Sequence, residues 1–194
     1  MILLHTNCKL NDDVISNLVS TYKKDKYLPE VDNFYTNYYH KDTEDFILKD
    51  YYKNNLKVVL QHLGLENRCE YEIDQWVQVY DNKTEGFGYH DHFTGTEFLS
   101  WIHFIKVPKQ KCFHFIDSLG NKQYPDNQSD GDFLVFPSWA LHAADKVEEE
   151  FDRVVVSGNI SIKQYFTPIT VWNVEEKDNK VVWKHQSIEE TLNP

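Results

Sequence analysis

The hydrophobic positions change period once along the chain, near residue 69. Before that point Val14, Ile15, Leu18, Val19 and Tyr22 recur at helical spacing. They follow Asn11-Asp12-Asp13, which supplies a capping side chain and two charges suited to a helix N-terminus. Ile47, Tyr51, Leu56, Val59, Leu60 and Leu63 form a second stripe, opened by Asp42-Thr43-Glu44-Asp45 and closed by Gly64. Two N-terminal helices are therefore predicted, joined by an aromatic-rich loop over 28–39. From Cys69 the period becomes two. Tyr71, Ile73, Val77 and Val79 alternate with polar residues, which predicts a strand. Further strands are predicted near 97–107, 111–117, 132–136, 141–147, 152–162, 165–172 and 180–185. The polar stretch 117–131 reads as a loop, and 177–180 as the turn of a closing hairpin. Two helices followed by seven or eight strands, with no helix between them, predict a mainly β fold: a jelly-roll or cupin-like barrel backed by the helices.

Length and composition narrow the function classes. The 194 residues suit a single domain over 1–194, with 1–66 as helical support, 69–162 as the β core and 163–194 as C-terminal strands. Lys and Arg number 20 against 31 Asp and Glu, a net charge of -11, so a general phosphate-backbone binder is not expected and nucleic acid is a poor candidate substrate. Three scattered cysteines, Cys8, Cys69 and Cys112, form no pair at metal-binding spacing, which argues against a disulfide framework or a thiolate zinc site. The apolar run at 1–4 is too short for a signal-peptide core, and no stretch approaches the roughly 20 apolar residues of a membrane helix. No membrane association is expected, and the expected location is the cytoplasm. The abundance of Tyr, Phe, Lys, Asn and Asp fits an AT-rich genome such as a virus carries, and for a viral protein the location would be the host cytoplasm. The oligomeric state is open.

Nine histidines are the unusual count, and three of them fall into an order. His90 and His92 are two residues apart, so on one strand both imidazoles face the same way while Asp91 faces the other. His142 lies beyond a strong strand and the turn Pro137-Ser138-Trp139, where a remote strand can bring it beside the first pair. Two imidazoles from one strand and one from another form a facial set that suits iron, zinc, copper or nickel and leaves the opposite side open for substrate. Arg153, on the next strand, would be buried and would need a partner. A carboxylate of a small diacid satisfies a guanidinium through two parallel hydrogen bonds. A lone histidine near a strand is ordinarily a hydrogen-bonded structural residue. His103 and His114 are read mainly that way, although both could line the barrel.

These segments resemble the Fe(II)/2-oxoglutarate-dependent oxygenase superfamily, and within it small prolyl-hydroxylase-like members. The likeness is carried by His90-Asp91-His92, by Leu99 to Ile105, by Gly131-Asp132-Phe133-Leu134-Val135-Phe136-Pro137-Ser138-Trp139 leading to His142, and by Arg153-Val154-Val155-Val156-Ser157-Gly158-Asn159. It covers about residues 69–162. The resemblance implies a double-stranded β-helix, Fe(II) as the metal, 2-oxoglutarate as co-substrate and O2 as oxidant. It implies His90 and His142 as iron ligands and Arg153 as the residue that binds the distal carboxylate of 2-oxoglutarate, with Ser100 and Tyr80 assisting. The family's third ligand is a carboxylate two residues after the first histidine. Here that position is His92, so either His92 replaces the carboxylate or Asp91 turns inward at a bulge, and strand parity favours His92. The implied reaction is hydroxylation of a C–H bond in a peptide, with prolyl the leading choice, or in a small molecule. Residues 34–39 and the loop 82–88 would frame that substrate. The competing reading is a three-histidine cupin-type metalloenzyme that does not use 2-oxoglutarate, in which Arg153 would turn away from the metal.

Overall fold

The structure, a computed structural model, describes residues 2–23, 34–38, 48–66, 68–165, 171–177 and 180–186. In chain order its elements are β1 (Leu4–Asn7), α1 (Asp12–Tyr22), β2 (Phe34–Thr36), α2 (Lys49–His62), β3 (Cys69–Tyr80), β4 (Phe87–His90), β5 (Glu97–Lys106), β6 (Phe113–Ile116), β7 (Lys122–Gln123), β8 (Asp132–Pro137), β9 (His142–Ala144), β10 (Arg153–Tyr165), β11 (Val171–Lys177) and β12 (Lys180–Gln186). The strands form a six-stranded sheet in the order β1-β8-β5-β10-β3-β2, a four-stranded sheet β4-β9-β6-β7 and the hairpin β11-β12. Every pairing is antiparallel.

The helices begin and end on local chemistry. The Asn11 side chain accepts the Val14 N–H at 3.1 Å, satisfying a donor that the first turn cannot, and Asp12 and Asp13 face the positive end of the helix dipole. At the end of α2, Gly64 adopts φ 68°, the Leu65 N–H reaches the Leu60 carbonyl at 2.8 Å and the Gly64 N–H reaches Gln61 at 2.9 Å. This is a Schellman closure, which places a left-handed residue where glycine is strain-free. The part of the predicted second helix at 42–47 lies outside the described residues.

Strand parity then divides the large sheet into two faces. Val77 and Val79 of β3, Leu99, Trp101 and Ile105 of β5, Phe133 and Val135 of β8, and Val154, Val156 and Ile160 of β10 form one core with Leu18 and Tyr22 of α1 and Tyr52, Leu56, Val59 and Leu60 of α2. The intervening residues Tyr80, Ile102, Phe104, Leu134, Phe136 and Val155 form a second core with Phe113 and Phe115 of the small sheet. The large sheet is thus a middle layer, buried on both faces, with helices on one side and the small sheet on the other.

Three expectations change. Among the described residues no ladder joins the large sheet to the small one, so the architecture is an open antiparallel sandwich and not a closed barrel. The strand expected at 165–172 is replaced by β10 running on to Tyr165 and β11 starting at Val171, with 166–170 outside the described residues. Within the expected loops, Phe34–Thr36 and Lys122–Gln123 pair as strands and Phe87–His90 forms β4.

Candidate functional site

His90 ends β4 and His142 begins β9, and the two are direct cross-strand partners. His92 lies two residues past the end of β4, outside any strand, so the shared orientation of the H-x-H pair is not produced by strand pleating alone. The His92 N–H donates to the Ser138 carbonyl at 2.9 Å, and Ser138 is itself fixed by its hydroxyl to the Glu97 carbonyl at 2.6 Å. The Pro137-Ser138-Trp139 turn therefore props the first histidine segment against the third histidine. The ring centroids lie 4.3 Å apart for His90 and His142, 5.2 Å for His90 and His92, and 5.0 Å for His92 and His142.

The other ring nitrogen of each histidine fixes its tautomer. Nδ1–H of His90 donates to the Gly88 carbonyl at 2.7 Å, Nδ1–H of His142 to the Ala140 carbonyl at 2.7 Å, and Nδ1–H of His92 to Oδ1 of Asn159 at 2.7 Å. Each ring is then left with an Nε2 lone pair, the form that binds a metal. The three candidate donor atoms all lie within 4.8 Å of one another. Burial pushes His90 down to about 4 and His142 down to about 3, the latter helped by facing His90 and His92, so both rings are neutral at pH 7. Asp91, the alternative third donor, is exposed and accepts the Phe93 N–H at 3.1 Å, and it is not one of the converging donors.

The histidines face a cavity of about 240 Å³ between the two sheets. Its far wall comes from the inward positions of β3 and β10: Trp76, Gln78 and Tyr80, then Arg153, Ser157 and Asn159. Arg153 is only 2% exposed. Its guanidinium lies 4.8 Å from the centre of the Tyr80 ring, and its Nη1 has no hydrogen-bond partner. No carboxylate pairs with it among the described residues, and Glu148, Glu149 and Glu150 do not reach it. A buried cation without a counter-ion is unfavourable, and an anionic ligand in the cavity removes that penalty.

Ser100, His103 and His114 do not line the cavity. Ser100 is fully buried, donates to Asn159 Oδ1 at 2.9 Å and lies 3.2 Å from His92 Nδ1. It supports the His92–Asn159 bond and does not line the cavity, so its expected contact with a co-substrate carboxylate is replaced by a contact behind a histidine. His103 has the parity of Leu99 and Trp101 and faces the helices. Its Nδ1 accepts the Tyr52 hydroxyl at 2.8 Å and its Nε2–H donates to the Cys8 carbonyl at 2.9 Å. His114 points off the outer face of the small sheet, between Tyr89 and Tyr124. Asn159 is the residue that sequence reasoning left without a role. Its i+6 spacing from Arg153 on one strand places both on the same face, and that signal alone could have found it.

No protein-family model and no curated protein matches the sequence. Solved structures are similar in fold. A prolyl-4-hydroxylase from Pseudomonas putida aligns over 81% of this chain and 91% of its own, at 13% identity and a TM-score of 0.57. A prolyl hydroxylase from Trichoplax adhaerens, in complex with a peptide fragment of the hypoxia inducible factor oxygen degradation domain, aligns over 81% and 82% at 10% identity and a TM-score of 0.60. HygX from Streptomyces hygroscopicus, with nickel, 2-oxoglutarate and hygromycin B bound, aligns over 84% and 83% at 9% identity and a TM-score of 0.53. At these identities the likeness is one of fold.

Proposed function

We propose that the chain is an Fe(II)- and 2-oxoglutarate-dependent dioxygenase that hydroxylates a C–H bond of a peptide, prolyl being the leading choice, or of a small molecule. The observation that carries the reading is the joint one: three histidines, two of them kept neutral by burial, converge on a cavity whose buried wall holds an arginine with an unpartnered Nη1. Residues 69–162 form the catalytic core of the single functional unit. His90, His92 and His142 hold the metal, and Arg153 takes the distal carboxylate of 2-oxoglutarate. Iron with 2-oxoglutarate and O2 supplies the oxidising chemistry, which no side chain can provide.

The chain's own residues do the rest. Gly88, Ala140 and Asn159 keep each imidazole in the donor tautomer. Tyr80 covers one face of the guanidinium, which orients it and shields it from water. Ile102, Phe113 and Phe136 give the cavity apolar walls that limit access of water to the reacting centre. The three-histidine donor set also suits a cupin-type metalloenzyme that needs no 2-oxoglutarate, but in that reading Arg153 has no reason to face the cavity. The test is succinate release from 2-oxoglutarate by iron-loaded protein, with and without peptide substrates. Turnover, coupled or uncoupled, supports the oxygenase reading. Iron binding without any succinate supports the three-histidine rival.

A further inference from the structure

Strand β10 gives the cavity a direction. Arg153 lies opposite Tyr80 at one end of the strand, Asn159 holds His92 further along, and Ser161 lies opposite Glu97 beyond it. Ser161 is eight residues from Arg153, roughly 25 Å of strand. The closed end is therefore cationic. The open end is acidic, because Asp91 and Glu97 both line the cavity there. Their carboxylates are held in place: Asp91 accepts the Phe93 N–H at 3.1 Å, and Glu97 accepts the Thr94 N–H at 3.3 Å. No ion pair to either is found among the described residues.

Exposed aromatic side chains mark this mouth as a surface that meets a ligand. The unpartnered Nη1 of buried Arg153 marks the other end of the cavity for an anion. Outside the cavity, Phe93 and Trp139 are each 57% exposed and Phe98 is 42% exposed. The segments that carry them are tied together, with the His92 N–H on the Ser138 carbonyl at 2.9 Å and the Ser138 N–H on the Phe98 carbonyl at 3.3 Å. Large aromatic side chains left open beside a cavity mark an interaction surface, and aromatic faces beside carboxylates attract a cation together with its apolar stem.

We propose that the substrate is a polypeptide bearing a lysine or arginine, whose cationic head is met by Asp91 and Glu97 while adjoining residues lie on Phe93, Phe98 and Trp139. This rests on the oxygenase reading and names its substrate class. A polypeptide is favoured over a free amine because a small amine would engage the carboxylates and leave the aromatic apron uncovered. A phosphate-bearing polymer is repelled by the same carboxylates and by the overall charge.

The test uses three random-sequence decapeptide pools that differ at one central position: lysine, acetyl-lysine or glutamate. Succinate release is measured on iron-loaded protein, and binding is measured separately by fluorescence anisotropy of the labelled pools. The lysine pool is expected to bind, and to stimulate release, about tenfold better than either twin, with the preference shrinking at high salt. Asp91→Asn combined with Glu97→Gln should erase the preference, and Trp139→Ala should weaken all three pools alike. Equal binding of the three pools by the wild-type protein overturns the proposal, whatever the folding of the variants. Stimulation by free butylamine equal to that of the lysine pool overturns the polypeptide part. Failure of the oxygenase reading shows differently, as an absence of succinate under every condition, and leaves the anisotropy result to be judged alone.

Discussion

At the scale of single residues, the site depends on what stands behind each imidazole. His90 and His142 donate to backbone carbonyls, which mutation cannot remove, but His92 donates to the Asn159 side chain. Asn159→Ala should therefore weaken metal binding by about 10- to 100-fold, the usual effect of losing such a supporting bond, with the fold retained. Isothermal titration with Mn(II) or Fe(II) against the wild-type protein checks this. Arg153→Ala separates the two ligands. It removes the only arginine or lysine on the cavity wall among the described residues, so 2-oxoglutarate affinity should fall by about 100-fold or more while metal affinity stays within a few-fold. Equal loss of both would remove Arg153 from the carboxylate. The histidines and the arginine were legible because their chemistry is unusual for buried strand positions and their spacing is regular. The contacts of Asn159 and Ser100 with His92 were not, because parity gives an amide or a hydroxyl its face of the strand but not its partner. The position of Ser100 behind His92 is set by a tertiary contact eight residues away.

At the scale of elements, alternation along β3, β5, β8 and β10 decides which residues reach the cavity, and one missing side chain keeps that register close. Gly158 faces the helix side of β10, where an added Cβ would meet the Asp74 carbonyl and the Trp101 ring. Neither can move aside, since one is backbone of a paired strand and the other is packed between Tyr52 and Phe133. Gly158→Ala should destabilise by about 1–3 kcal/mol and lower the melting midpoint by several degrees, read by calorimetry. Strand β1 depends on a different device. Burial alone would raise the Asp132 carboxyl, but the Asn7 side chain at 2.8 Å, His5 at 3.0 Å and the Ser129 N–H at 2.8 Å outweigh it and hold the group below its ordinary value. A carboxyl depressed by folding stabilises the protein above its unfolded pKa, near 3.9, and that stability is lost as pH falls through the folded value. Urea midpoints should therefore drop more steeply between pH 5 and pH 3 for the wild-type protein than for Asp132→Asn. The long central strands showed their period in sequence. The strands β1, β4 and β7 are two to four residues long and exist only through their partners, so periodicity had too few positions to reveal them.

At the scale of the whole molecule, the described β core is two sheets that touch through side chains and share no ladder, and this is where the expected barrel fell short. Alternation in a sequence shows that a strand has two kinds of face. It does not show whether the last strand of a sheet finds the first, because closure is decided by tilt and stagger summed over every strand. In an open sandwich the relative position of the sheets rests on the shared apolar core and on anything that bridges them. The candidate metal site is such a bridge. His90 and His142 belong to the small sheet, whereas His92 is held through Asn159 to the large one. A bound ion would thus join the sheets, and binding to the folded state alone stabilises it by mass action. With metal at about 100 times its dissociation constant, that amounts to roughly 2.7 kcal/mol, or about 5–10 °C for a domain of this size. Stripping the protein with a chelator should lower the midpoint by that amount, and adding back Fe(II), Mn(II) or Ni(II) should restore it. The Asn159→Ala protein should show a smaller shift in both directions, because its third ligand no longer carries the large sheet with it. If chelation leaves the wild-type midpoint unmoved, the three histidines are core residues that happen to converge, and the oxygenase reading falls with them.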